Sequence, residues 1–100
     1  MSSLATIASS GLQAADLRLR VSAHNVANMN TPGFAPQRVS EAGSGPRWGG
    51  AAQVVQSDQR GVSLEQEAIE QMAAKLAFKA NVFVLRTYQE TTGTLLNVFA

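Results

Sequence analysis

The side chains that could do chemistry in this chain are few and scattered. There is one histidine, His24, and the acids are Asp16, Glu41, Asp58, Glu65, Glu67, Glu70 and Glu90. Glu67 and Glu70 stand one helical turn apart, but nothing in the sequence builds a pocket around them. His24 has no second histidine and no nearby carboxylate pair with which to complete a metal site, so it reads as a surface or interface residue. Ser2, Ser3, Ser9 and Ser10 lie in a fraying N-terminal stretch with no histidine or aspartate to activate them. The absence of cysteine excludes a thiol nucleophile, a zinc–thiolate site and a disulfide frame. No Gly-x-Gly-x-x-Gly or phosphate-loop spacing occurs. The residues therefore predict no catalytic site, no metal, no cofactor and no small-molecule substrate.

The chemistry that remains is amide recognition, and it is concentrated in one run: Ser22-Ala23-His24-Asn25-Val26-Ala27-Asn28-Met29-Asn30-Thr31-Pro32-Gly33-Phe34. Asn25 and Asn28 are three residues apart, on one side of a helix. One reading of them is C-terminal capping and solvation near a turn. The other is that their amides bond across to a partner helix and fix its register, as a polar group in a helical seam does. The helix then has to stop. Pro32 lacks an N–H and pushes Thr31 out of the α region, Gly33 can take positive φ, and Phe34 is a large apolar anchor just past the turn.

Two helices must position these groups. Residues 3–29 carry Leu4, Ile7, Ala8, Leu12, Ala15, Leu19, Val26 and Met29 at three- and four-residue spacing. Leu12, Leu19 and Val26 are seven apart, with Ala5, Ala8 and Ala15 in the same stripe, which predicts a short coiled-coil seam. Gly11 interrupts it at a cost of about 1 kcal/mol against alanine. Residues 63–98 predict a longer helix, roughly 50 Å at 1.5 Å per residue. Ser63 and Gln66 have the spacing of a capping box, and Glu65 and Glu67 sit where the helix dipole favours negative charge. Its apolar stripe runs Ile69, Met72, Ala73, Leu76, Ala80, Phe83 and then shifts through Val84, Tyr88, Thr92, Leu95 and Phe99, as at a stutter. Gly93 reads as a weak point. Between the helices, residues 31–61 hold all three prolines and six glycines, with Trp48 as the one large aromatic of the segment's interior. Gln53-Val54-Val55-Gln56 is the one candidate strand there. Trp48 reads either as a contact anchor or as a cover for the helix pair. The expected fold is all-α: two long antiparallel helices joined by an irregular Gly/Pro-rich loop, in a single helical-hairpin domain over residues 1–100.

Composition agrees with helices that need company. The chain has 100 residues, a net charge of +1, 15% charged residues, 45% apolar residues and only 6% aromatics. The charge is too balanced for a nucleic-acid binder. Much of the apolar content is alanine, which favours close helix contact over a thick core. Ordering a residue costs about 1–2 kcal/mol of backbone entropy, and a two-helix hairpin offers only one contact surface per helix. The chain is therefore expected to complete itself against other copies or a partner. No stretch approaches the roughly 18 apolar residues that span a bilayer, and the N-terminus has no basic segment followed by an apolar run of the secretory type. Sequence rules by themselves would place such a protein in the cytosol.

The motif in the first helix resembles that of a known family. Asn25-Val26-Ala27-Asn28, two residues, then Thr31-Pro32-Gly33-Phe34 is similar to the N-terminal signature of bacterial flagellar rod and hook proteins. Further on, Glu67-x-x-x-Gln71-Met72, the run Ala73-Ala74-Lys75-Leu76-Ala77-Phe78-Lys79-Ala80-Asn81-Val82, and Leu85-Arg86-Thr87 are similar to the closing helix of the rod proteins. The resemblance is greatest to small proximal-rod members, with a shortened centre in place of their longer, often β-rich insert. It implies a structural subunit of the flagellar basal-body rod whose two terminal helices pair and polymerise. The partners implied are further copies, other rod and hook axial proteins and the flagellar export apparatus, with no nucleic acid and no membrane insertion. The place implied is the periplasm-spanning rod, reached without a cleaved signal peptide. The interface is expected at Leu12, Leu19, Asn25, Val26, Asn28, Thr31, Pro32, Gly33, Phe34, Ile69, Met72, Leu76 and Phe83. The competing expectation is a soluble helical adaptor or assembly regulator that forms a homo-oligomeric bundle.

Overall fold

Alanine carries most of the contact between the two helices. In a computed structural model, which describes residues 3–40 and 52–99, α1 spans Ser3–Ala27 and α2 spans Leu64–Phe99. Between them lie two short strands, β1 (Gln37–Ser40) and β2 (Gln53–Gln56). The helices run antiparallel: the end of α1 meets the start of α2 through Asn25 and Glu67, and Gly11 faces Asn81 further along. Trp48 and the side chain of Phe99 lie outside the described residues.

The buried side of α1 is built from Ala5, Ala8, Ala14, Ala15, Val21, Ser22 and Asn25. On α2 the fully enclosed residues are Glu67 and Ala74. Small side chains let the helix axes approach closely, so the contact is a thin seam. Gly11 shows how close. A Cβ placed there would lie 2.4 Å from the Asn81 Oδ1 atom. The glycine that interrupts the apolar stripe of α1 in the sequence is therefore the site where α2 reaches the backbone of α1.

The apolar stripe predicted for α2 does not face α1. Ile69, Met72, Leu76 and Phe83 are 67%, 72%, 69% and 70% exposed. The residues on the side of α1 are Glu67, Gln71, Ala74, Phe78, Asn81 and Tyr88, a row that Leu85 and Thr92 continue by periodicity. At 3.6 residues per turn that row lies on the opposite side of the helix from Ile69, Leu76 and Phe83. Around the clasp the close seam is filled by alanine and polar groups, and Ile69, Met72 and Leu76 lie on the open face; the larger Phe78 and Tyr88 sit beside Leu19 and Leu4 of α1 further along. The apparent stutter after Phe83 is the point where the reading crosses from the outer face to Tyr88 and Thr92 on the inner one. On α1, Leu12, Leu19 and Val26 flank the alanine seam and are half-buried.

The ends of the connection are zipped together. β1 pairs antiparallel with β2 in the register Gln37↔Gln56, Arg38↔Val55, Val39↔Val54 and Ser40↔Gln53. Two further main-chain bonds extend the closure toward the helices, Ser57 N–H to the Pro36 carbonyl (2.8 Å) and Gly61 N–H to the Phe34 carbonyl (3.0 Å). Gln53–Gln56 is thus a strand, as its sequence suggests, and its partner Gln37–Ser40 is an addition to the all-helical expectation. At the start of α2, Ser63 Oγ accepts the Gln66 N–H at 3.3 Å, which is the N-cap half of the predicted capping box.

Candidate functional site

The helix exit is built as its residues dictate. Thr31-Pro32-Gly33-Phe34 is a turn closed by Phe34 N–H to the Thr31 carbonyl at 3.2 Å. Proline at the second position and Gly33 at φ 72° at the third are the requirements of a type II turn. Thr31, Pro32 and Gly33 are exposed, while Phe34 is half-buried and sets its ring edge-on to His24 at 5.6 Å. His24 thus helps to seat the anchor residue.

The two asparagines separate. Asn28 stays local: its Nδ2 donates to the His24 carbonyl at 2.9 Å, and its Oδ1 accepts from Thr31 Oγ1 at 3.3 Å. It caps the helix and steadies the turn. Asn25 is fully buried and reaches two other elements. Its Oδ1 accepts the Gln37 N–H at 2.8 Å and its Nδ2 donates to the Gln37 carbonyl at 2.8 Å. One side-chain amide thereby satisfies both main-chain groups on the edge of β1 that β2 leaves open. Nδ2 also donates to Glu67 Oε1 at 3.1 Å. Both readings of the pair are realised, one at each residue.

Glu67 is the centre of this clasp. It is fully buried, which a carboxylate tolerates only with partners. Oε1 takes the Asn25 amide, and Oε2 lies 2.8 Å from Arg38 Nη1. That ion pair lacks the alignment of a hydrogen bond, so Oε2 has no hydrogen-bond donor among the described residues. Arg38 also donates to the Gln37 carbonyl at 2.9 Å. A cavity of about 10 Å³ lies against Glu67, Asn25 and Arg38, near the smallest space that holds one water. Around this centre, Ser22 Oγ donates to the Glu67 carbonyl (3.2 Å) and accepts from Gln71 Nε2 (3.0 Å), while Arg18 Nε bonds Glu70 Oε1 at 2.6 Å. The clasp fixes the longitudinal register of α1 against α2 and docks the strand pair on both.

Of the predicted site residues, the clasp uses Asn25, and the adjoining turn uses Asn28, Thr31, Pro32, Gly33 and Phe34. Ile69, Met72, Leu76 and Phe83 lie together on the outer face of α2, away from the clasp. Sequence reasoning missed Glu67, Arg38, Gln37, Ser22 and Gln71 as its members. One signal was available: Ala8, Ala15 and Ser22 are seven apart, as are Glu67, Ala74 and Asn81, which marks small and polar residues as a repeating seam. Arg38 and Gln37 come from the connection and carried no periodic signal.

Residues 6–34, the body of α1 together with its exit turn, match the family described as flagella basal body rod protein. The segment bearing Asn25, Asn28 and the Thr-Pro-Gly-Phe turn lies within that match. That family consists of structural components and is not an enzyme family. The match supports a structural rod role in general, a place in the basal body and association with other flagellar axial components. Among curated proteins no sequence matches the chain. No helix among the described residues is long and apolar enough to cross a membrane.

Proposed function

We propose that the chain is a structural subunit of the bacterial flagellar basal-body rod, a single helical-hairpin unit that polymerises by packing of its terminal helices. The observation that carries this reading is the second, uncovered apolar face of α2. Ile69, Met72, Leu76 and Phe83 form it, opposite the face that α1 occupies. A contiguous exposed apolar stripe of this kind marks an interaction surface. The C-terminal part adds to this surface. Leu4, near the start of α1, lies with Phe83, Tyr88 and Thr91, so the last turns of α2 extend beyond α1, with Leu95, Leu96 and Val98 exposed. Leu12, Leu19 and Val26, half-buried beside the seam, supply the matching surface on α1.

In this reading the polar clasp sets the shape of each subunit and the outer stripe joins subunits. A hairpin held by a thin seam unfolds readily for passage through the export apparatus, without a cleaved signal peptide, and is consolidated on assembly. The test is Leu76→Asp at the native locus, with basal bodies purified and culture medium assayed. The expected result is loss of the protein from basal bodies with export retained. A variant that assembles normally contradicts the outer stripe as the assembly surface. Wild-type protein confined to the cytoplasm and absent from basal bodies would favour the soluble adaptor instead.

A further inference from the structure

The outer stripe of α2 has a pattern that reads nearly the same in both directions about Leu76. Ile69 lies seven residues before it and Phe83 seven after. Met72 lies four before and Ala80 four after, a large group in the position mirrored by a small one. At the ends stand opposite charges, Glu65 eleven residues before and Arg86 ten after. All of these residues are exposed. Neither Glu65 nor Arg86 has an ion-pair partner among the described residues.

From this we infer that, free in solution, two copies of the chain close on each other through α2 as an antiparallel pair with a two-fold axis at Leu76. Turning one helix end for end sets Ile69 against the second copy's Phe83, Leu76 against its own counterpart, and Met72 over the second copy's Ala80. Large meets small at the Met72 level, and apolar meets apolar at the other two. The same operation places Glu65 beside the second copy's Arg86 at both ends. A parallel pairing in register would instead bring Glu65 to Glu65 and Arg86 to Arg86, juxtaposing like charges. Charge complementarity therefore selects both the occupant, a second copy, and its direction. Because an isologous contact closes on itself, this pair caps the stripe and holds subunits apart from a growing polymer. The inference rests on the reading of the stripe as an assembly surface and adds its geometry before assembly.

The chain has no cysteine, so single introduced thiols report contacts without background. The full-length protein is made as Leu76→Cys, Ile69→Cys and Phe83→Cys and oxidised at concentrations where sedimentation shows association. Leu76→Cys alone is expected to cross-link to itself, and Ile69→Cys mixed with Phe83→Cys to give a mixed dimer. Ile69→Cys alone and Phe83→Cys alone should stay largely uncross-linked. Separately, Glu65→Lys and Arg86→Glu should each weaken association about tenfold, and the double variant should recover most of the loss. Efficient self-cross-linking of Ile69→Cys or Phe83→Cys, or a double variant as weak as the singles, overturns the antiparallel pair. A monomer with no cross-link in any combination assigns the stripe to a different chain and also overturns it. Wild-type protein that enters basal bodies while the cross-links fail leaves the rod reading standing and removes only the dimer.

Discussion

The inner and outer faces of α2 differ in chemistry and in what they meet. The inner face carries Glu67, Gln71, Ala74 and Asn81, and it meets α1 through a buried carboxylate, amides and the open backbone at Gly11. The outer face carries Ile69, Met72, Leu76 and Phe83, all strongly exposed among the described residues, with only Phe83 beside α1, at Leu4. The lesson is that the large apolar residues of this helix mark its open face, the one proposed above to receive another chain. The intramolecular contact is encoded by smallness and polarity. Close approach requires small residues, and a hydrogen-bonded clasp then supplies the register that a smooth alanine seam lacks.

The comparison is broken most severely at Glu67. Replacing it with alanine takes the carboxylate from Arg38 and one acceptor from the buried Asn25 amide, and opens a cavity in the clasp. Removing one partner of a buried ion pair costs about 3–5 kcal/mol, and Arg38 keeps some contact with water, so the lower part of that range is expected in urea unfolding. Asn25→Ala should follow at about 2–3 kcal/mol, since it leaves the Gln37 N–H and Glu67 Oε1 without a partner, while the Gln37 carbonyl keeps Arg38. Asn28→Ala, losing only local capping bonds, should cost about 1 kcal/mol or less. Equal costs for the two asparagines would contradict the division between clasp and cap.

The glycines sharpen the comparison with smaller effects of opposite sign. Gly93→Ala meets open space and should raise stability by about 1 kcal/mol through helix propensity alone. Gly11→Ala gains the same propensity but displaces Asn81, whose Nδ2 bonds the Ala77 carbonyl at 2.8 Å. A net loss of about 1 kcal/mol is expected, read from thermal unfolding. The smallest effect on the isolated subunit belongs to the outer face. Leu76→Asp, measured at dilutions where copies do not associate, should shift stability by about 0.5 kcal/mol or less.

The two helices were legible because each has strong periodic signals and clear ends. The Thr31-Pro32-Gly33-Phe34 turn was legible because proline and glycine fix backbone angles almost without regard to context. The exposed position of Ile69, Leu76 and Phe83 was not legible, because spacing shows that residues share a face and says nothing of which neighbour covers it. The clasp was half legible. Asn25 stood out by its place before the turn. Its main partners, Gln37 and Glu67, are brought to it by tertiary closure of a connection whose β1 strand has no distinctive pattern.

The division of labour between the two faces is tested most directly by sedimentation velocity over a concentration series, wild type beside Leu76→Asp. The account predicts that wild type sediments faster as concentration rises, while Leu76→Asp remains a helical monomer throughout. A wild-type protein that stays monomeric at every concentration, or a Leu76→Asp variant that associates as strongly, would contradict it.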